Sequence, residues 1–142
     1  MPVQAQQSLF DLPTFNINRP VKEALRASIE KSGLSREEVV NRMNRLAQRF
    51  GVVLSNGKSN CLTGDAFEKW LSLDDALHNM PVRAIPIFCK AVNDPSVLEE
   101  IINPLGYQII GDDDRKLLAW AKAYQQARRA KQTMKKLEAH IE

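Results

Sequence analysis

The sequence has few of the residues from which catalytic centres are built. Its 142 residues include two histidines and two cysteines, and it lacks the phosphate-binding patterns GxGxxG and GxxxxGK(S/T) and the zinc-binding pattern HExxH. His78 and Cys89 are the candidates for an activated thiol, but Cys89 lies in an apolar helical row that favours a buried, inert side chain. The sequence therefore predicts a protein that is not an enzyme and that has no metal site and no cofactor.

Long hydrophobic runs and paired cysteines are also missing. The longest apolar stretches are far shorter than the ~20 residues that cross a bilayer, and no basic segment followed by an apolar one marks a secretory signal. Cys61 and Cys89 are 28 positions apart and do not form a CxxC pair, which fits a reducing compartment. We therefore expect a cytoplasmic protein without a membrane partner.

Positive charge is distributed unevenly along the chain. Residues 1–114 contain 12 Lys/Arg and 15 Asp/Glu, a net charge of −3, whereas residues 115–142 contain 8 and 2, a net charge of +6. The overall charge of +3 thus comes from the last segment. This pattern is typical of a solvated basic helix or of a surface that binds a polyanion.

Helical periodicity dominates the chain and predicts an all-α fold. Residues 1–18 are rich in Gln and show no periodicity, so they are predicted to be a flexible arm. Residues 19–111 carry five short helical segments, and residues 112–142 carry one long basic helix. The short helices are predicted to start near Pro20, after Ser35, at Thr63, near Met80 and at Pro95.

Two short stretches favour extended structure. Asn56-Gly57, between the apolar runs 52–54 and 61–62, predicts a short β-hairpin or a tight loop. Residues 107–110 are predicted to form one short strand. Both stretches lie between helical segments, so neither changes the predicted fold class.

The second helix begins with the strongest local signal in the chain. Ser35 can cap its N-terminus, with Glu38 at the capping-box position, and Gly51 ends it. At 100° per residue the helix has an apolar arc, comprising Val39, Met43, Leu46, Ala47 and Phe50. A basic stripe lies on a different face and comprises Arg42, Arg45 and Arg49.

The order of these helices resembles a known DNA-binding motif. A helix opened by Leu34-Ser35-x-x-x-Val39 precedes one opened by Thr63-x-x-x-Phe67-x-x-Trp70, as in the lambda-repressor-like helix-turn-helix. Within that class, "SGLSREEVVNRMNRLA", "FEKWLS" and "HNMPVRAIPIFCKAV" are similar to the phage and prophage regulatory proteins of the CII type. The resemblance spans residues 31–92. It implies that the third helix enters the major groove of DNA while the second crosses the backbone.

The resemblance implies a sequence-specific transcriptional regulator that binds double-stranded DNA as an oligomer. The sequence departs from the motif in the long connection 51–62 and in Asp65 and Glu68, which repel phosphate. Asn60 is the candidate base reader, and the alternative is that it serves as a turn or cap residue. The full set of candidate DNA contacts is Arg42, Arg45, Arg49, Lys58, Ser59, Asn60, Thr63 and Lys69.

The long helix, predicted from about Asp114 to His140, carries a heptad-spaced apolar seam. One row comprises Trp120, Ala127, Met134 and Ile141, and a second comprises Ala123, Ala130 and Leu137. The seam predicts a homo-oligomer whose interface includes Trp120, Ala127, Met134, Leu137 and Ile141. The alternative is that this helix folds back onto the core.

The arm contains a different kind of signal. The pentapeptide Gln6-Gln7-Ser8-Leu9-Phe10 resembles the short motif by which bacterial proteins dock on the replication sliding clamp. Leu9 and Phe10 would enter an apolar pocket while Gln6 supplies amide hydrogen bonds. This resemblance gives an alternative function, a non-catalytic adaptor that docks on the sliding clamp. Alternatively, these apolar residues cover a hydrophobic patch on this or a partner subunit.

Overall fold

Six α-helices connected by coil and short 3-10 turns make up the structure. The computed structural model describes residues 15–55 and 60–141. Over these ranges no residue lies in a β-strand, and the predicted all-α class is confirmed. The helices are α1 (Asn18–Ser32), α2 (Arg36–Phe50), α3 (Gly64–Leu71), α4 (Ile85–Val92), α5 (Ser96–Ile102) and α6 (Asp112–Ile141).

The strand predicted at residues 107–110 is wrong, and of the two alternatives predicted for residues 52–62, a hairpin or a loop, the described residues fit the loop. Residues 52–55 and 60–62, on either side of the undescribed residues 56–59, are not strands and form no β-hairpin. Leu54 and Leu62 are nevertheless buried in the core, so they anchor this connection to the helices. Residues 107–110 are also not a strand, because a strand needs a partner for its backbone hydrogen bonds and the described ranges supply none.

The helix ends follow the capping signals closely. Ser35 Oγ accepts a hydrogen bond from the Glu38 N–H at 3.1 Å, which satisfies one of the free donors at the start of α2. Gly33 and Gly51 end α1 and α2 in the left-handed conformation, with φ of 74° and 70°, which glycine adopts at little cost. Three starts differ by one or two residues from expectation: α1 begins at Asn18, and Thr63 and Pro95 occupy the N-cap positions of α3 and α5 instead of their first helical positions.

α4 begins later than the sequence predicts, at Ile85 instead of near Met80. Residues Val82–Ala84 form a 3-10 turn, and the α-helix begins at Ile85. Pro86 therefore lies in the first turn of α4, where its missing N–H removes no helical hydrogen bond. The helix ends at Asn93, which adopts a left-handed φ of 55°.

The first unit, which extends to Gln108, packs α1 to α5 around one core. α1 packs mainly on α5 and α2 mainly on α4, while α3 contacts both α1 and α2. Phe67 is fully buried, and its ring centroid lies 6.4 Å from those of Trp70 and Phe88. Phe50, predicted for the apolar arc of α2, is instead 54% exposed.

One charged side chain lies inside this core. Lys22 is buried, and its Nζ donates hydrogen bonds to the carbonyl oxygens of Lys69 at 2.9 Å and His78 at 2.7 Å. Burial lowers the pKa of Lys22, against the opposing effect of the Asp75 charge. The ammonium group thereby ties α1 to the end of α3 and to the segment that precedes α4.

The second unit, Ile109–Glu142, consists mainly of α6. None of the 30 residues of α6 is buried. Asp112, Asp113 and Asp114 lie in its first turn, where negative charge favours a helix N-terminus. No helix in the described part of the chain is long and apolar enough to cross a membrane.

Candidate nucleic-acid interface

The basic stripe of α2 lines a groove between α2 and α4. The groove has a volume of about 430 Å³, and Arg42, Arg45 and Arg49 come from α2 while Lys90 comes from α4. Leu46, Ala91 and Asn93 complete the described lining, which contains no carboxylate. We call this surface the arginine groove. It gathers four cations on a part of the chain that is acidic overall.

Arg42 and Arg49 contact neighbouring groups, and all three arginine side chains of the stripe are exposed. Arg42 Nη1 donates to the carbonyl oxygen of Ala91 at 3.4 Å, which joins α2 to α4. The guanidinium carbon of Arg49 lies 5.5 Å from the centroid of the Phe50 ring, within the range of a cation–π contact. This contact gives the exposed Phe50 ring a local role that the periodicity of α2 did not indicate.

A second groove adjoins the first and shares Arg42 and Asn93 with it. Its volume is about 320 Å³, and its lining includes Lys31 and Asp94. Asp94 accepts hydrogen bonds from the Ser96 hydroxyl at 2.5 Å and from the Ser28 hydroxyl at 3.0 Å. These hydrogen bonds lower the pKa of Asp94, and the bond from Ser96 has the largest effect. Partial burial of the carboxylate opposes this shift. The carboxylate is thus engaged in joining α1 to the start of α5.

The candidate residues of α3 lie on a different part of the surface. Thr63 caps α3, since its Oγ1 accepts a hydrogen bond from the Ala66 N–H at 3.2 Å. Lys69 is exposed, as are the acidic side chains of Asp65 and Glu68. Glu68 forms an ion pair with Arg36 at the start of α2. The exposed face of α3 therefore carries more negative than positive charge.

The basic stripe of α2 and the candidate residues of α3 lie on different flanks of α2. Arg36 contacts α3, whereas Arg42 contacts the end of α4. At 100° per residue, Arg36 and Asn44 point to the flank that faces α3, and the basic stripe points to the other. The structure thus brings Arg42, Arg45 and Arg49 together with Lys90, and it does not place Thr63 or Lys69 among them.

Asn44 is a positioning residue that the sequence analysis missed. Its Oδ1 accepts from the Leu62 N–H at 2.8 Å, and its Nδ2 donates to the Leu62 carbonyl oxygen at 2.9 Å. One side-chain amide thereby fixes the end of the long connection against α2, next to the cap of α3. The available signal was an asparagine in a helix interior, where this residue type is a poor helix former.

Several of the candidate binding residues lie outside the described part of the chain. Lys58 and Ser59 lie in the undescribed segment 56–59, and the clamp-like motif with Gln6, Leu9 and Phe10 lies before residue 15. Asn60 is exposed and adopts a left-handed φ of 56°. That conformation is typical of a turn residue and leaves its side chain accessible.

The described residues offer little for covalent or metal chemistry. Over residues 15–55 and 60–141 no three His, Cys, Asp or Glu side chains are arranged to hold a metal ion. Burial raises the pKa of the Cys89 thiol, the opposite of what an activated nucleophile requires. No protein-family model, curated protein or solved structure matches this chain.

Proposed function

We propose that this chain is a transcriptional regulator that binds double-stranded DNA, with the arginine groove neutralising backbone phosphates. The observation that carries the proposal is the convergence of Arg42, Arg45, Arg49 and Lys90 around a groove whose described lining has no acid. The arginine guanidinium group donates in a planar fork that matches phosphate oxygens. A surface of this kind supports a polyanionic ligand over an apolar or cationic one.

The dimensions of the stripe also suit a nucleic-acid backbone. Arg42 and Arg49 are seven residues apart, which corresponds to about 10 Å along α2. One strand of DNA presents a charge every ~3.4 Å of rise along the duplex axis, and its backbone winds around that axis, so a straight stripe of this length is long enough to contact more than one phosphate. The cations therefore follow a line of charge and are not clustered around a single anion.

Sequence readout in this proposal belongs to the start of α3. The Asn44 amide and the Thr63 cap hold that start in place, with Asn60 exposed immediately before it. Phosphate contacts position a protein on DNA, whereas base contacts select the sequence. We therefore assign affinity mainly to the arginine groove and selectivity to the Asn60 region.

The decisive experiment measures duplex binding as a function of salt. The triple variant R42Q/R45Q/R49Q should bind all sequences more weakly, and its log–log salt slope should fall by up to roughly 2.7, since each phosphate contact contributes about 0.9. The matched control R19Q/R26Q/R83Q removes three cations outside the groove and should retain most of the slope. Circular dichroism verifies that both variants remain helical.

Selectivity is tested separately with Asn60→Gly, which keeps a residue suited to positive φ while removing the amide. This variant should change the sequences recovered from a genome-derived DNA pool more than it changes the salt slope. Failure of the native chain to retain any duplex at about 50 mM salt, where electrostatic binding is strong, would contradict the proposal. If the two triple variants lost the same amount of affinity for duplex DNA, the arginine groove would not be the contact surface.

A further inference from the structure

α6 exposes all of its large apolar side chains. Its seven large apolar side chains are 46% to 83% exposed; they are Leu117, Leu118, Trp120, Tyr124, Met134, Leu137 and Ile141. Most of the stability of a protein helix comes from packing of its apolar face. Leu118 lies on the opposite face at 100° per residue, and the other six belong to one exposed apolar stripe. Such a stripe marks an interaction surface, so we expect it to have a cover.

The apolar residues of α6 form a stripe of defined shape. Trp120 lies near its start and stacks on Tyr124, with ring centroids 5.6 Å apart and planes inclined by 17°. Small residues, Ala123, Ala127 and Ala130, occupy the middle, and bulky residues return with Met134, Leu137 and Ile141. The stripe is therefore wide at both ends and narrow at its centre.

We propose that the cover is α6 of a second copy of this chain, paired in antiparallel orientation. The heptad spacing of the stripe allows antiparallel alignments in which the first row of each helix faces the second row of the other, and we choose the one that pairs Trp120 with Leu137 because it brings the most apolar layers of the two helices into register. In that alignment the two-fold axis passes close to the central alanines. The facing pairs are Trp120 with Leu137, Ala123 with Met134, and Ala127 with Ala130.

Side-chain size favours the antiparallel pair. In a parallel pair each residue faces itself, so three alanine layers are enclosed between a layer of two Trp120 rings and a layer of two Met134 side chains. Helix axes cannot be close at the alanines and far apart one turn away without leaving gaps, and gaps lose packing energy. In the antiparallel pair Met134 covers Ala123, and the spacing changes gradually along the stripe.

Charge also favours the antiparallel pair. Asp113 and Lys116 continue the two heptad rows toward the start of α6, and in a parallel pair each would face its own copy. Such like-charge layers oppose pairing. In the antiparallel alignment Asp113 extends past the end of the second helix, and Lys116 faces Ile141 one turn from Glu138. The same alignment places Lys131 beside the Tyr124 ring of the second copy, a favourable arrangement for a cation–π contact.

The first test asks whether the stripe is the interface, using the full chain without DNA. Light scattering should give the mass of a dimer at micromolar concentration, and Met134→Glu should raise the dissociation constant by roughly tenfold or more because it places a charge in the seam. Gln132→Glu adds the same charge on the outer face of α6 and should leave the mass unchanged. A monomer at high micromolar concentration, or equal effects of the two variants, would overturn the inference.

The second test determines orientation by disulfide trapping in a C61S/C89S background. Mixed chains carrying Ala123→Cys and Met134→Cys should form a disulfide between the two variants under mild oxidation. Each variant alone should not, because in the antiparallel pair the two copies of either position lie about 16 Å apart along the helix axis, beyond disulfide reach. Efficient disulfide formation by each variant alone would show a parallel pair and overturn the proposed orientation.

Discussion

Leu25 of α1 and Leu137 of α6 occupy equivalent apolar positions on amphipathic helices, yet Leu25 is fully buried and Leu137 is 59% exposed. The first unit places the apolar faces of five helices against one another. The second unit offers α6 no residue to pack against within its own length. The periodicity of a helix shows which of its faces is apolar. It does not show which other helix packs against that face.

The two regions differ in the same way in their charges. The last 28 residues contain all of the excess positive charge of the sequence, and these residues are almost entirely those of the exposed helix α6. The arginine groove lies in the part that is acidic overall, and it exists because α2 and α4 pack side by side. Net charge therefore locates the basic helix, whereas tertiary packing creates the basic groove.

The largest difference between the two units is expected when one large aromatic side chain is removed from each. Phe67→Ala should lower the free energy of unfolding of the first unit by about 3–5 kcal/mol, because it removes a fully buried ring and leaves a cavity. Trp120→Ala should leave that free energy nearly unchanged at low protein concentration, where self-association makes little contribution. Urea unfolding followed by circular dichroism measures both, and similar losses in the two variants would contradict this view of α6.

A smaller effect is expected from the amide that supports α3. Asn44→Ala leaves the N–H and the carbonyl oxygen of the buried Leu62 without their side-chain partner, which should cost about 1–3 kcal/mol. Asn41→Ala, an exposed position on the same helix, is the matched control because it makes the same change in helix propensity. If urea midpoints of the two variants coincide, Asn44 does not hold the connection in place.

Local signals predicted the helices better than the site. Ser35 and Gly51 specify the two ends of α2 through contacts within a few residues, and those predictions are confirmed. The strand at 107–110 is wrong and the loop alternative replaces the hairpin at 52–62, because strand propensity depends on packing against a neighbouring strand, which the described residues do not supply. Lys90 was missed because it joins the arginine groove through the packing of α2 on α4.

Buried polar contacts between distant segments were equally inaccessible from sequence. Lys22 lies on an amphipathic helix, where a lysine is normally solvated. Its acceptors belong to Lys69 and His78, 47 and 56 positions further along the chain. Only the assembled fold brings those two carbonyl oxygens together, so the sequence offers no local pattern for this contact.

The smallest expected effect concerns the pH dependence of stability in the first unit. Hydrogen bonds from Ser96 and Ser28 lower the pKa of Asp94 in the folded chain, so the unfolded chain binds the proton more readily. The stability contributed by this carboxylate is therefore complete at neutral pH and is lost as the pH falls through its ordinary value and then through the lower folded value. Asp94→Asn should lower the urea midpoint at pH 7, and the gap from the native chain should narrow between pH ~5 and pH ~2. The control is Asp113→Asn, at an exposed acid of α6, which should leave the urea midpoint of the first unit unchanged at every pH. If the difference in midpoint between the native chain and Asp94→Asn stayed constant with pH, the hydrogen bonds of Asp94 would not depend on its charge.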